Sequence, residues 1–131
     1  ATNMQYAVIE GVSFGILDGI NSVLKVNNNF EKIFMVGGGS KSEFWIKLLS
    51  SLLQRKLSVC NQSEFGAALG VARLAMHVDK NIDEKKSIVK EIEISKNFEP
   101  NTDKINTLLK RYEIWKNLYS SNKKIAPNLL T

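Results

Sequence analysis

Ile33-Phe34-Met35-Val36-Gly37-Gly38-Gly39-Ser40-Lys41-Ser42-Glu43 runs from an apolar stretch through three glycines into the start of a helix. Four consecutive apolar residues read as a strand buried on both faces, as in a parallel sheet. Where such a strand stops and a helix begins, backbone amides point outward with partial positive charge. Glycine suits that position because a Cβ would hold the backbone away from a ligand. The geometry fits the phosphate or ribose of a nucleotide. It fits equally a glycine turn that only lets strand and helix pack closely, and spacing alone leaves both open.

The two common phosphate loops do not match. A Walker loop needs glycine where Met35 and Ser40 stand. The dinucleotide fingerprint needs one where Ser42 stands. No acidic residue follows a second strand to hold a ribose, so a small Rossmann-type cofactor binder is the poorer alternative.

A chain of 131 residues makes one domain with a real core. No apolar run reads as a membrane span and no leader pattern opens the chain. Its first residues, Ala1-Thr2-Asn3, point to a segment of something longer or to processing. The single cysteine, Cys60, excludes an internal disulfide and fits a reducing, cytoplasmic compartment. It closes a short strand and reads as a buried thiol rather than a nucleophile. One histidine, His77, cannot build a metal site with one cysteine and no clustered carboxylates, so no metal ligand is assigned. The net charge of +5 is spread: residues 79–131 hold eleven Lys/Arg interleaved with eight Asp/Glu. That is a solvated surface, not a nucleic-acid footprint.

Around the glycines, the periodicity predicts a helix over 5–25, with Val8, Ile9, Val12, Ile16, Ile20, Val23 and Leu24 on its apolar side. Gly11, Gly15 and Gly19 lie four apart on an adjacent face. Three interior glycines cost about 2–3 kcal/mol of helix propensity, so close approach of another backbone is expected there. A strand is predicted over 32–36. Ser40 and Glu43 match a capping box for the next helix, which carries Trp45, Leu48, Leu49, Leu52 and Leu53 and ends near 54–56. A second strand follows over 57–60, then a small-residue helix over 64–78 that Asn61 to Glu64 would cap. This order is βαβ logic with a right-handed crossover. Residues 79–100, where Ile88, Val89, Ile92 and Ile94 keep no period, read as a surface excursion with a partial helix or an extended piece. Phe98-Glu99-Pro100-Asn101 stops it and caps a last helix over 103–120, whose stripe of Ile105, Leu108, Leu109, Tyr112, Trp115 and Tyr119 is core by period. Residues 1–122 then form the folded lobe and 123–131 a flexible tail.

Four stretches together resemble the carboxyl-terminal part of the FGGY family of carbohydrate kinases. They are Glu10-Gly11-Val12-Ser13-Phe14 through Asp18-Gly19; Gly37-Gly38-Gly39-Ser40-Lys41-Ser42-Glu43-Phe44-Trp45; Glu64-Phe65-Gly66-Ala67-Ala68-Leu69-Gly70-Val71-Ala72-Arg73-Leu74-Ala75; and Phe98-Glu99-Pro100 leading to Tyr112 and Leu118-Tyr119. The details most resemble xylulose kinases, with gluconate, glycerol and ribulose kinases sharing the architecture. The resemblance implies an α/β fold: an incomplete actin/hexokinase/Hsp70-like (ribonuclease H-like) ATPase lobe, helix-rich with a short parallel sheet. It implies ATP/ADP and Mg²⁺ as cofactors and phosphoryl transfer to a sugar. By the same resemblance Gly38 and Gly39 lie against the adenosine and α-phosphate. Gly37 ends the strand, and Ser40 and Lys41 continue the loop. Glu43 and Phe44 sit where relatives contact base or ribose, and Gly66 and Gly70 are packing positions.

Family members are several times longer, and their amino-terminal lobe supplies the sugar pocket. Their catalytic aspartate lies ahead of the matched region, and no residue here occupies its place; Asp18, in mid-helix, takes a structural role. The resemblance therefore implies a fragment that binds nucleotide and meets sugar only through the other lobe. A non-catalytic interaction module on the same fold is the alternative from another class. A sheet of two strands leaves an open edge, so self-association is expected. Light scattering over a concentration series would show a mass above one chain; a constant single-chain mass would contradict it.

Overall fold

The structure, a computed structural model, describes residues 3–26, 32–61, 63–77 and 92–125. In chain order these form helix α1 (Asn3–Leu24), strand β1 (Ile33–Met35), a 3₁₀ turn (Gly38–Lys41), helix α2 (Glu43–Leu53) and strand β2 (Leu57–Cys60). A second 3₁₀ turn (Ser63–Phe65), helix α3 (Gly66–His77), strand β3 (Ile94–Phe98) and helix α4 (Thr102–Ile125) follow.

β1 and β2 pair in parallel, with Ile33 opposite Leu57 and Met35 opposite Val59. The sheet is nevertheless mixed, which corrects the expectation of a short parallel one. β3 runs antiparallel on the far side of β2, with Leu57 opposite Phe98 and Ser58 opposite Asn97. Within the stretch expected to be a surface excursion, residues 94–98 thus complete a three-stranded sheet of order β1-β2-β3. Ile88 and Val89 lie outside the described residues. The order pairs β2 on both sides and leaves β1 and β3 as edges among the described residues. β1 is only partly buried, not enclosed on both faces.

α2 is the spine of the lobe because it is apolar on two sides. Leu48 and Leu52 pack with Phe14 and Leu17 of α1 and with Leu108 and Tyr112 of α4. Ile46 and Leu49 face the sheet against Leu57 and Phe98. Ile46, absent from the expected stripe, has no exposed surface. Full burial of one such side chain contributes about 1.5–3 kcal/mol. The helix stops at Gln54, which adopts the left-handed conformation (φ 53°). Asn101 caps α4 as expected, its Oδ1 accepting from the Asp103 N–H at 3.0 Å. α4 runs on to Ile125, three residues into the stretch expected to be tail; residues 126–131 lie outside the described residues.

α1 bears out its predicted extent but not the reason offered for its glycines. A Cβ on Gly11 would lie 4.0 Å from the Trp115 indole nitrogen, and at Gly15 and Gly19 nothing lies within 4 Å. No second backbone approaches these positions among the described residues. At 22 residues α1 is also long and apolar enough, by length and composition alone, to cross a membrane, which the sequence reading had not found. Here it is bound to the lobe: Ser13, Phe14 and Leu17 are buried. Glu10 pairs with Arg111 at 2.9 Å, and Tyr112 Oη donates to Asp18 Oδ1 at 2.9 Å. Asp18 thus has the structural role expected of it.

α3 meets the rest of the lobe at its start. A Cβ on Gly66 would come within 3.3 Å of the Val36 Cβ, so glycine there lets helix and strand end approach. Among the described residues Gly70 has nothing within 4 Å of an added Cβ, against the packing role expected for it. Val71 and Leu74 are 67% and 69% exposed.

Candidate functional site

Parallel pairing of β1 and β2 brings both of their carboxyl ends to one edge of the sheet. The crevice outside that edge is where open α/β sheets bind ligands. Two turns meet there. Gly37 has φ 79° and ψ −170°, a region only glycine occupies without strain. Its N–H donates to the Ser63 carbonyl at 2.7 Å. The Ser40 hydroxyl donates to the Gly37 carbonyl at 2.7 Å and lies 2.7 Å from the Ser63 hydroxyl. With its one hydrogen so used, Ser40 is the acceptor and Ser63 the donor of that second bond.

Ser40 is therefore not the helix cap, which corrects the capping-box expectation. The chain inserts a 3₁₀ turn over Gly38–Lys41, so the cap moves two residues on. Ser42 takes it, its Oγ accepting from the Trp45 N–H at 3.3 Å. Glu43 does not reach back to the cap. It pairs instead with Lys96 of β3 and, at 3.7 Å, with Lys47. The hydrogen bond from Lys96, then its charge, holds the Glu43 carboxyl below the usual range. That pairing is present at neutral pH and is lost as pH falls through the lowered value.

The first internal bond of the turn runs from the Ser40 N–H to the Gly37 carbonyl at 3.1 Å. The amides of Gly38 and Gly39 precede it and have no acceptor within the turn. Above Gly38 the space is open: a Cβ there would meet nothing within 4 Å, and its φ lies outside the left-handed region. Gly39 differs. A Cβ on it would fall 2.7 Å from Trp45 Cζ3, because the six-membered ring of the indole packs against this residue. Lys41 closes the turn and is exposed. Beside it a cavity of about 240 Å³ is lined by Ser40, Lys41, Val59, Cys60, Asn61 and Ser63, together with Ser95.

All five residues singled out from the sequence, Gly37, Gly38, Gly39, Ser40 and Lys41, thus lie on one turn at the sheet's carboxyl edge. Cys60 ends β2 beside them, and burial pushes its thiol up, away from nucleophile chemistry. His77 is the last residue of α3. No group of three or more His, Cys, Asp or Glu that could hold a metal occurs among the described residues. Sequence reasoning missed Ser63, the second half of the stitch. It also missed Ser13, whose Oγ accepts from Trp45 Nε1 at 2.9 Å across the lobe. Neither contact leaves a local sequence signal, since the partners are 23 and 32 residues apart.

Comparison with known proteins matches this geometry to a family. A sequence model described as the FGGY family of carbohydrate kinases, C-terminal domain, matches residues 1–78. A xylulose kinase of Staphylococcus epidermidis is 28% identical over 126 residues, covering 95% of this chain and 25% of the relative. A xylulose kinase of Escherichia coli is 35% identical over 69 residues, covering 53% of this chain and 14% of the relative. The crystal structure of a xyloylose kinase from Brucella ovis superposes with a TM-score of 0.76 at 25% identity, over 93% of this chain and 25% of that one. The chain thus spans a quarter or less of the length of these relatives. The lobe has the actin/hexokinase-like ATPase fold of those neighbours, and the chain belongs to the FGGY family of carbohydrate kinases, matching its carboxyl-terminal domain.

Proposed function

We propose that this chain is the nucleotide-side portion of an ATP-dependent carbohydrate kinase acting on D-xylulose. Gly38 carries the proposal. Its backbone angles and surroundings would accept a side chain, so nothing among the described residues requires glycine there. A phosphate drawn close to the Gly38 and Gly39 amides does require it. Gly37 and Ser40 hold the turn open, and Lys41 supplies positive charge beside it.

The reaction would move the γ-phosphoryl group of ATP onto a sugar hydroxyl, giving a sugar phosphate and ADP while the hydroxyl proton passes to a base. Mg²⁺ would neutralise charge on the nucleotide phosphates. This lobe's share of the reaction would be to bind and orient the nucleotide. Xylulose as the sugar is supported by the names of the relatives, and a cytoplasmic setting by a single cysteine with no internal partner for a disulfide. Self-association through the open β1 edge and the exposed face of α3 is part of the same proposal.

Phosphoryl transfer depends on positioning both substrates across a cleft. The 131-residue chain alone is accordingly expected to show no sugar-dependent ATP turnover. A longer polypeptide containing it, offered D-xylulose, gluconate, glycerol and ribulose, is expected to turn over fastest with D-xylulose. Turnover by the short chain would contradict the division of labour, and a faster rate with another sugar would replace the substrate.

A further inference from the structure

Trp45 joins three elements. Its N–H is held by Ser42 at 3.3 Å, so the residue is fixed in the first turn of α2. Its ring covers Gly39 so closely that a Cβ there would sit 2.7 Å from Cζ3. Its Nε1 donates to Ser13 Oγ of α1 at 2.9 Å. Ser13 has no exposed surface, and its own hydroxyl hydrogen goes to the Ile9 carbonyl at 2.7 Å. The Ser13 oxygen is therefore left as an acceptor, and the indole uses it.

α1 is in turn tied to α4 by Glu10–Arg111 and Asp18–Tyr112. A continuous path runs from α4 through α1, Ser13 and Trp45 to Gly39. A ring that only filled space under the turn would not need a buried polar anchor; phenylalanine would do. We propose that Trp45 and Ser13 form a positioning pair that fixes the Gly38 and Gly39 amides for a nucleotide phosphate. This inference rests on the nucleotide function proposed above. Neither residue touches the reacting atoms. Their effect comes through placement, to which charge-directed amides are sensitive at the sub-ångström level.

The test is a calorimetric titration of the 131-residue chain with MgADP, in four forms: unaltered, Ser13→Ala, Trp45→Phe and the double variant. Ser13→Ala removes the acceptor of the indole–hydroxyl bond and keeps the helix backbone, while Trp45→Phe removes its donor together with the part of the ring that meets Gly39. Loss of one such bond is expected to weaken MgADP binding about fivefold. Because both changes break the same link, the double variant is expected to bind no more weakly than the poorer single one. Singles that bind as tightly as the unaltered chain, or a double variant whose losses multiply, would overturn the positioning pair while leaving the nucleotide site standing. No MgADP binding by the unaltered chain would overturn the nucleotide site itself, and the inference with it.

Discussion

Gly38→Ala is expected to weaken MgADP binding at least tenfold while leaving the lobe as stable as before or more so. An added Cβ meets nothing within 4 Å, and the residue's φ is one that alanine adopts. At such a position the substitution stiffens the unfolded chain and stabilises by about 0.4–1 kcal/mol. The ligand sees the opposite. The methyl group would hold a phosphate off the Gly38 and Gly39 amides, whose charge-assisted hydrogen bonds contribute about 1.5–3 kcal/mol each. Denaturant melts and calorimetric titration of the same protein read both effects. Unchanged affinity would mean that phosphate does not approach this amide pair.

Gly39→Val is expected to damage the fold as well as the site. Its Cβ would fall 2.7 Å from Trp45 Cζ3 and 3.1 Å from Cε3. The indole cannot swing aside freely, since Ser13 anchors its far edge. Overpacking of this kind costs about 1–3 kcal/mol, and the second branch of valine places it toward the upper end. Against a total stability of about 5–15 kcal/mol that shift is readily seen in a denaturant midpoint. A midpoint within error of the parent's would show that Trp45 is not held as described. On the proposed reading the two adjacent glycines separate: Gly38 would serve the ligand, and Gly39 the packing beneath it.

What the sequence made legible follows from where its signals are local. The apolar run over 33–36 and the glycines behind it announced β1, its turn and α2, because burial and backbone freedom are written in consecutive residues. β3 was not legible. Of Ile94, Ser95, Lys96, Asn97 and Phe98 only the last is buried, so no apolar alternation marks the strand. Its place is set by partners across the sheet, with Ser58 donating to Asn97 Oδ1 at 2.7 Å and Ser95 to the Val59 carbonyl at 2.9 Å. The cap was misplaced for a similar reason. Ser40 and Ser42 both make good caps, and the choice falls to the Gly37 conformation and the distant Ser63. For Gly15 and Gly19 the described residues offer no close neighbour. No contact among the described residues identifies a sugar, so the substrate rests on relatives rather than on geometry.

The central claim, that the Gly37–Lys41 turn holds a nucleotide, is most directly tested by a ¹H–¹⁵N NMR titration of the chain with MgADP. Saturable shifts confined to the amides of Gly37, Gly38, Gly39, Ser40 and Lys41 and the first turn of α2 are the predicted result. A well-dispersed spectrum in which those amides stay fixed while MgADP is added to excess would contradict it.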